Sequence, residues 1–438
     1  MEGVAGGGGG ATAVPGSGLT GGQVLQSNIS LPPTALVEAG LERRTAANAA
    51  FFAAEAERVA RLCHACAERF ARGGRLVALG ATPAARSDAR HVAVEFVHPV
   101  IVGKRALPAL ALAGEGGPLP AQLALVAEPD DMVMAFGADA GVEEAAAALG
   151  LAGARGCLTV SFGPPGAAWA FDPPGEDPFV AQELAETLYH VVWELVHVFF
   201  DHRGLLEGRD ARPAHDAGAS SFLYPFLAEQ EVDLDAVLAD VRRSVEMKAA
   251  EVTALREQTL REGAGTLAAA AAALRRAFDA GGRLLALGNG GSATDAMDAA
   301  ADFRGAPGRA AGGATDPAGW PARPALDLTE DPAILTALAN DIGPDAIFSR
   351  QVIAHGRAGD ALLAFSTSGT SANVTAALVE ARRRGLVTIA LVGYDGGEVL
   401  ARGLADHVVV TRSQHIPRIQ EAHASAYHVL RELVEAVG

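Results

Sequence analysis

The chain repeats itself, and the repeat limits what it can fold into. Residues 73–80 read GGRLVALG, and residues 281–288 read GGRLLALG. The match continues in order. DARHVAVEF at 88–96 pairs with DAMDAAADF at 295–303, and DMVMAF at 131–136 pairs with DALLAF at 360–365. Gln182-Glu183, with His190 eight residues on, pairs with Gln420-Glu421 and His428. A period of about half the chain means two copies of one architecture. The expected organisation is a glycine-rich tail over 1–30, a first unit over 31–203, a linker over 204–231 and a second unit over 232–438.

Each copy alternates short apolar runs with longer helical patterns. In the second copy the predicted strands are 283–287, 325–328, 361–366, 387–392 and 407–411. Apolar runs separated by helices imply a parallel sheet covered on both faces, hence an α/β fold. Each copy also opens on a long helical lead-in, over 33–71 and 232–280. The tail over 1–30 carries almost no charge or large apolar residues and reads as disordered.

Composition removes several classes of function. A net charge of −17 argues against nucleic acid or an anionic membrane as partner. No apolar run is long enough to span a bilayer, and no signal peptide is legible. Three cysteines do not build a disulfide framework, so a cytoplasmic protein is expected. Cys63 and Cys66 form a CxxC without a second Cys/His pair, which reads as buried helix cysteines rather than a zinc site.

In the second copy two stretches suit a phosphate. Gly288-Asn289-Gly290-Gly291-Ser292 joins a strand to a helix, where free backbone N–H groups and the helix dipole converge. Ser366-Thr367-Ser368-Gly369-Thr370-Ser371 comes after another strand and adds hydroxyl donors without any lysine. Both fall at carboxyl ends of strands, where such sheets bind ligands. Ser371 could equally be a helix N-cap. No dinucleotide fingerprint or P-loop is present, so no nucleotide cofactor is expected.

Together with Ala339-Asn340-Asp341, Phe348-Ser349-Arg350-Gln351 and Arg418-Ile419-Gln420-Glu421, these motifs make the second copy resemble a sugar isomerase (SIS) domain. Within that superfamily it is similar to phosphoheptose isomerases and their non-enzymatic relatives. The resemblance implies two tandem SIS domains, each a three-layer, flavodoxin-like α/β sandwich. It implies binding of a phosphorylated sugar by Asn289, Gly290, Gly291, Ser292, Ser366, Thr367, Ser368, Ser371 and Gln420. Asp331, Asn340 and Asp341 would reach sugar hydroxyls. The activity implied is aldose–ketose isomerisation of sedoheptulose 7-phosphate or a similar sugar through an enediol. The alternative is a non-catalytic module that binds sugar phosphate and regulates or assembles with a partner.

Such isomerisation needs a base and an acid on opposite sides of the reacting carbons. The resemblance implies a Glu base, a His acid, and zinc or another divalent metal held by His, Glu, Gln and His. Here the two copies diverge. The second has Asp298 and Asp302 in place of His and Glu, beside Gln420 and His428. Asp is one methylene shorter, and a misplacement of about 1 Å can cost roughly a hundredfold in rate. The first keeps the whole set, His91, Glu95, Gln182 and His190, but has lost both phosphate loops and the counterpart of the Asp331–Asp341 segment. The catalytic candidates are therefore Glu95 and His190, or Asp302 and His428. The metal set is His91, Glu95, Gln182 and His190, or Asp298, Asp302, Gln420 and His428. The two copies would form an internal pseudo-dimer, with the first supplying chemistry and the second the phosphate loops. Further pairing into a homodimer is also expected.

Overall fold

The computed structural model describes residues 32–101, 104–113, 116–137, 141–174, 177–201, 205–206, 233–305 and 320–436. The glycine-rich tail and most of the expected linker lie outside the described residues.

The first half starts with a long helix, α1 (Pro33–Ala71), with proline in its first turn. Proline suits that position because its missing N–H would have had no helical partner. Five strands come next, β1 (Leu76–Leu79), β2 (Ala109–Leu112), β3 (Met132–Phe136), β4 (Leu158–Phe162) and β5 (Trp169–Phe171). Between them run α2 (Pro83–Val97), α3 (Leu119–Val126) and α4 (Val142–Ala154), and α5 (Pro178–Asp201) closes the half. The second half repeats the plan. The long α6 (Leu234–Asp279) leads into β6 (Leu284–Leu287), α7 (Gly291–Arg304) and β7 (Ala325–Asp327). Then come α8 (Pro332–Asp341), a 3-10 turn (Pro344–Ala346), α9 (Ile347–His355), β8 (Ala361–Ser366), α10 (Ala372–Arg383), β9 (Val387–Val392), α11 (Gly397–Ala401), β10 (His407–Val410) and α12 (Ile416–Ala436).

Both sheets are parallel throughout, with strand orders β2-β1-β3-β4-β5 and β10-β9-β8-β6-β7. Renumbered within each half, both are 2-1-3-4-5, the flavodoxin-like order. The strand order reverses between β1 and β3, and between β6 and β8, which places the ligand crevice of the second half above β6 and β8. The five strands expected in that half all form, with ends shifted by at most one residue. The central strands are buried along their whole length, as a sheet covered on both faces requires.

The cores do not stop at the sequence boundaries. Val37 and Leu41 of α1 belong to the core of the second half. Val237, Leu238, Val241, Val245 and Ala249 of α6 belong to the core of the first. Each lead-in helix thus begins in the other half's core and ends at its own sheet. Leu205 and Leu206, expected in the linker, are buried in the first core instead. Cys63 and Cys66 are buried in α1, as their helical position suggests. Burial drives the Cys66 thiol up to about 12, so it stays protonated. Trp193 is fully buried, whereas Trp169 on the edge strand β5 is only partly covered.

Candidate active site at the joint between the halves

The glycine corner expected to hold phosphate is built by close approach of backbone. A Cβ on Gly288 would lie 2.1 Å from the carbonyl oxygen of Ser292, so only glycine permits the turn into α7. Its counterpart Gly80 meets the carbonyl of Ala85 at the same 2.1 Å, so the turn itself survives in both halves. Beyond the turn the halves differ. In the second half Gly290 faces open space. In the first, a Cβ on Gly141 would lie 2.5 Å from Cβ of Ala81, so the chain after β3 closes over the corner.

The serine loop lies beside the open corner. Asn289 and Asn373 exchange two amide hydrogen bonds of 2.9 Å, tying the first turn of α10 to the corner. Ser366 Oγ accepts from the Gly369 N–H at 3.1 Å and lies 3.4 Å from Ser371 Oγ. Ser371 occupies the N-cap position of α10, but among the described residues its side chain makes no capping hydrogen bond. Ser292 is buried at the start of α7. Asp331, by contrast, caps α8, accepting from the N–H groups of Ala333 and Ile334. Asn340 donates to Asp341 at 2.7 Å at the exposed end of that helix.

Helices α2 and α7 pack against each other across the joint, and this brings the first half's chemistry to the second half's corner. A Cβ on Gly291 would lie 2.4 Å from Nε2 of His91 and 2.0 Å from Nε2 of Gln420. The corner, His91 and Gln420 therefore meet at one point. Gly291→Ala would push two side-chain ends aside without moving backbone, so the fold should survive. We expect little change in the melting temperature and a loss of activity on the order of a hundredfold, because the displaced groups are candidate site residues. Parallel melting curves and sugar-phosphate assays check this.

His91 Nε2 lies 3.3 Å from His190 Nε2 and 3.8 Å from Glu95 Oε1. All three side chains are at most 3% exposed. His91 Nδ1 is paired with the Tyr189 hydroxyl at 2.9 Å. His190 Nδ1 is paired with Glu421 Oε1 at 3.0 Å, a residue of the other half. Burial, reinforced by His190, keeps His91 well below the usual imidazole range. Burial and then Arg418 lower His190 to about 3. Both rings are neutral and able to offer a lone pair. Burial, then Glu194 and Glu421, raise Glu95 to about 8.

These groups fit a divalent metal. Two nitrogens about 2.0–2.1 Å from a tetrahedral ion sit about 3.3 Å apart, which is the His91–His190 spacing. Among the described residues, Glu95 Oε2 and Gln420 Oε1 are buried without a hydrogen-bond partner, as unused ligand atoms would be. The compact cluster of possible ligands among the described residues is His91, His190 and Glu186, a residue the sequence motifs do not single out, and it leaves Glu95 outside. Glu186 approaches the Nδ1 side of His91 at 4.0 Å, away from the corner. The signal for it was present in α5, where residues 182, 186 and 190 recur at helical spacing.

The two glutamines are not where a half-by-half quartet would put them. Gln182 donates to Asp298 Oδ2 at 2.9 Å across the joint. Gln420 sits with His91. The reason is geometric: eight residues of helix rise about 12 Å, so Gln182 and His190 lie at different ends of the joint. The mirror-image cluster holds Asp298, Asp302, Gln182 and His428. There His428 Nε2 is 3.9 Å from Asp302 Oδ2, and Ser87 donates to Asp298. The His428 ring is stacked on Phe179 at 4.3 Å between centroids.

The model of the SIS domain family matches residues 249–393. A phosphoheptose isomerase of Chlorobium phaeobacteroides is 41% identical over 224 residues, covering 50% of this chain and 88% of that protein. One from Pelobacter propionicus is 44% identical over 182 residues, covering 42% and 90%. The structure of tagatose-6-phosphate ketose/aldose isomerase from Escherichia coli superposes on 92% of this chain and 92% of its own, with TM-score 0.53 and 14% identity. At that identity the likeness concerns fold, and it spans both sheets. With a phosphoheptose isomerase matched at 41% identity over 88% of its length, the chain belongs to the SIS domain family in its phosphoheptose isomerase branch.

Proposed function

We propose that the chain is an aldose–ketose isomerase for sedoheptulose 7-phosphate or a similar sugar phosphate, working at one composite site. The observation that carries this is the meeting of His91 and Gln420 at Gly291, because it joins acid–base residues of one half to the open phosphate corner of the other. The units over 31–203 and 232–438 then act as an internal pseudo-dimer. The names of the matched relatives point to the same chemistry.

In this reading the corner 289–292 and the serine loop 366–371 hold the sugar's phosphate through backbone N–H groups and hydroxyls. Glu95 takes the proton from the carbon next to the carbonyl and returns it to the neighbouring carbon. A carboxyl raised to about 8 is, once deprotonated, a stronger base than an ordinary carboxylate. His190 serves the oxygens: its bare Nε2 takes the proton of the substrate hydroxyl and passes it to the former carbonyl oxygen, so the ring ends as it began. His91, Glu95, His190 and Gln420 would hold zinc or another divalent ion, which supplies charge to polarise the substrate oxygen. The cluster around Asp298, Asp302 and His428 keeps the joint packed.

The test is metal analysis of the purified full chain with an aldose–ketose assay on sedoheptulose 7-phosphate. Turnover that disappears with chelator and returns with metal is expected. Tight binding of the sugar phosphate without turnover would instead make the chain a sugar-phosphate-binding module. Among the described residues no helix is long and apolar enough to cross a membrane.

A further inference from the structure

We infer that Glu421 is a positioning residue, which fixes the tautomer and orientation of His190 from the opposite half of the chain. This rests on the proposal of a composite site.

The contacts are reciprocal. The pair Gln182-Glu183 projects from α5 into the second half, and Gln420-Glu421 projects from α12 into the first. Glu183 Oε1 meets His428 Nδ1 at 2.8 Å, as Glu421 Oε1 meets His190 Nδ1 at 3.0 Å. Each histidine is thus held by the glutamate of the other half. All four side chains are at most 1% exposed.

A carboxylate on Nδ1 keeps the proton on that nitrogen and leaves Nε2 bare. On His190, the bare Nε2 is the atom 3.3 Å from His91 Nε2, so the lone pair is aimed at the composite site. Glu421 is itself held. Arg418 Nη1 donates to both of its oxygens, and Arg418 Nη2 donates to Glu194 at 2.9 Å. A glutamine at 421 cannot reproduce this, since one of its two terminal atoms is a donor. If the amide nitrogen faces Arg418, two donors oppose each other. If it faces His190, it favours the other tautomer.

The symmetry supplies an internal control. Glu183→Gln removes an equally buried glutamate with the same kind of partners, but its histidine is stacked on Phe179 and its Nε2 lies toward Asp302 rather than toward His91. A purely structural role predicts equal effects of the two variants. A positioning role predicts that only Glu421→Gln damages the site.

The experiment uses the full chain as wild type, Glu421→Gln, Glu421→Asp and Glu183→Gln. Each is titrated with Co(II), assayed with sedoheptulose 7-phosphate, melted, and examined metal-free by nitrogen NMR of labelled histidines. Glu421→Gln is expected to lose roughly 10–100-fold in cobalt affinity and in kcat, with KM unchanged because the phosphate loops are untouched. The Nδ1–H signature of His190 should disappear. Glu421→Asp should restore part of each loss, and Glu183→Gln should match wild type in cobalt affinity and kcat. Equal losses in the two glutamine variants, or an unaltered His190 tautomer in Glu421→Gln, would overturn the inference. If the wild type neither binds cobalt nor turns over, the isomerase reading fails, and the His190 signal of the metal-free proteins still decides the role of Glu421.

Discussion

Replacing His190 with alanine is expected to lower kcat by about 10²–10⁴, the usual contribution of a positioned acid–base group. Metal content should fall with it. His428→Ala should leave kcat and metal content close to wild type, although the two histidines occupy equivalent places in α5 and α12. The difference lies in what surrounds each ring. His190 faces His91, while Gln420 and Gly291 meet His91 from the other half. His428 lies beneath Phe179, and its Nε2 is 3.9 Å from Asp302, a carboxylate too short for the role its family counterpart fills. Two mutant chains, assayed on sedoheptulose 7-phosphate and analysed for metal, decide the matter. Loss of turnover in His428→Ala with none in His190→Ala would move the chemistry into the second half and sink the composite site.

Much of this was legible in the sequence because it rests on local rules. Apolar runs of four to six residues between helical patterns gave the strands, and the glycine corner and serine loop were visible as strand-to-helix turns. The repeat exposed the division between the copies, with His91 and Glu95 retained in one and the phosphate loops in the other. What the sequence could not show was which groups cross the joint. Gln182 and His190 were expected in one metal set, yet one residue reaches Asp298 and the other His91. Such pairings depend on how α2 packs on α7 and α5 on α12, and no local pattern encodes a crossing. The exchange of lead-in helices between the cores escaped for the same reason: Val37 and Leu41 carry an ordinary amphipathic signal that does not name the core receiving them. Glu186 has a simpler explanation. Its counterpart in the second half is Ala424, so comparison of the copies gave it no weight.

The same crossing makes Glu194 the residue whose loss should weaken the fold most. It lies on α5 of the first half and is fully buried. One carboxylate oxygen pairs with Lys248 of α6, and the other accepts from Arg418 of α12 at 2.9 Å. Although burial opposes ionisation, Lys248 and then Arg418 hold this carboxyl below the ordinary range, so it is charged at neutral pH. Glu194→Ala would take from Lys248 the carboxylate it is paired with and from Arg418 one of its two carboxylate partners. Breaking a buried pair on one side costs about 3–5 kcal/mol, because an uncompensated charge remains. Glu262→Ala, which removes the exposed partner of Arg412, should cost less than about 1 kcal/mol and serves as the comparison. Glu194→Gln should fall between them, since the amide keeps one acceptor but no charge. Arg418 would then rest chiefly on Glu421, so the order of the three melting temperatures should also be the order of remaining isomerase activity. Unchanged unfolding in Glu194→Ala would mean that water or a rearranged side chain compensates Lys248 and Arg418. The joint would then be held by the exchanged apolar ends of α1 and α6 rather than by its ion network.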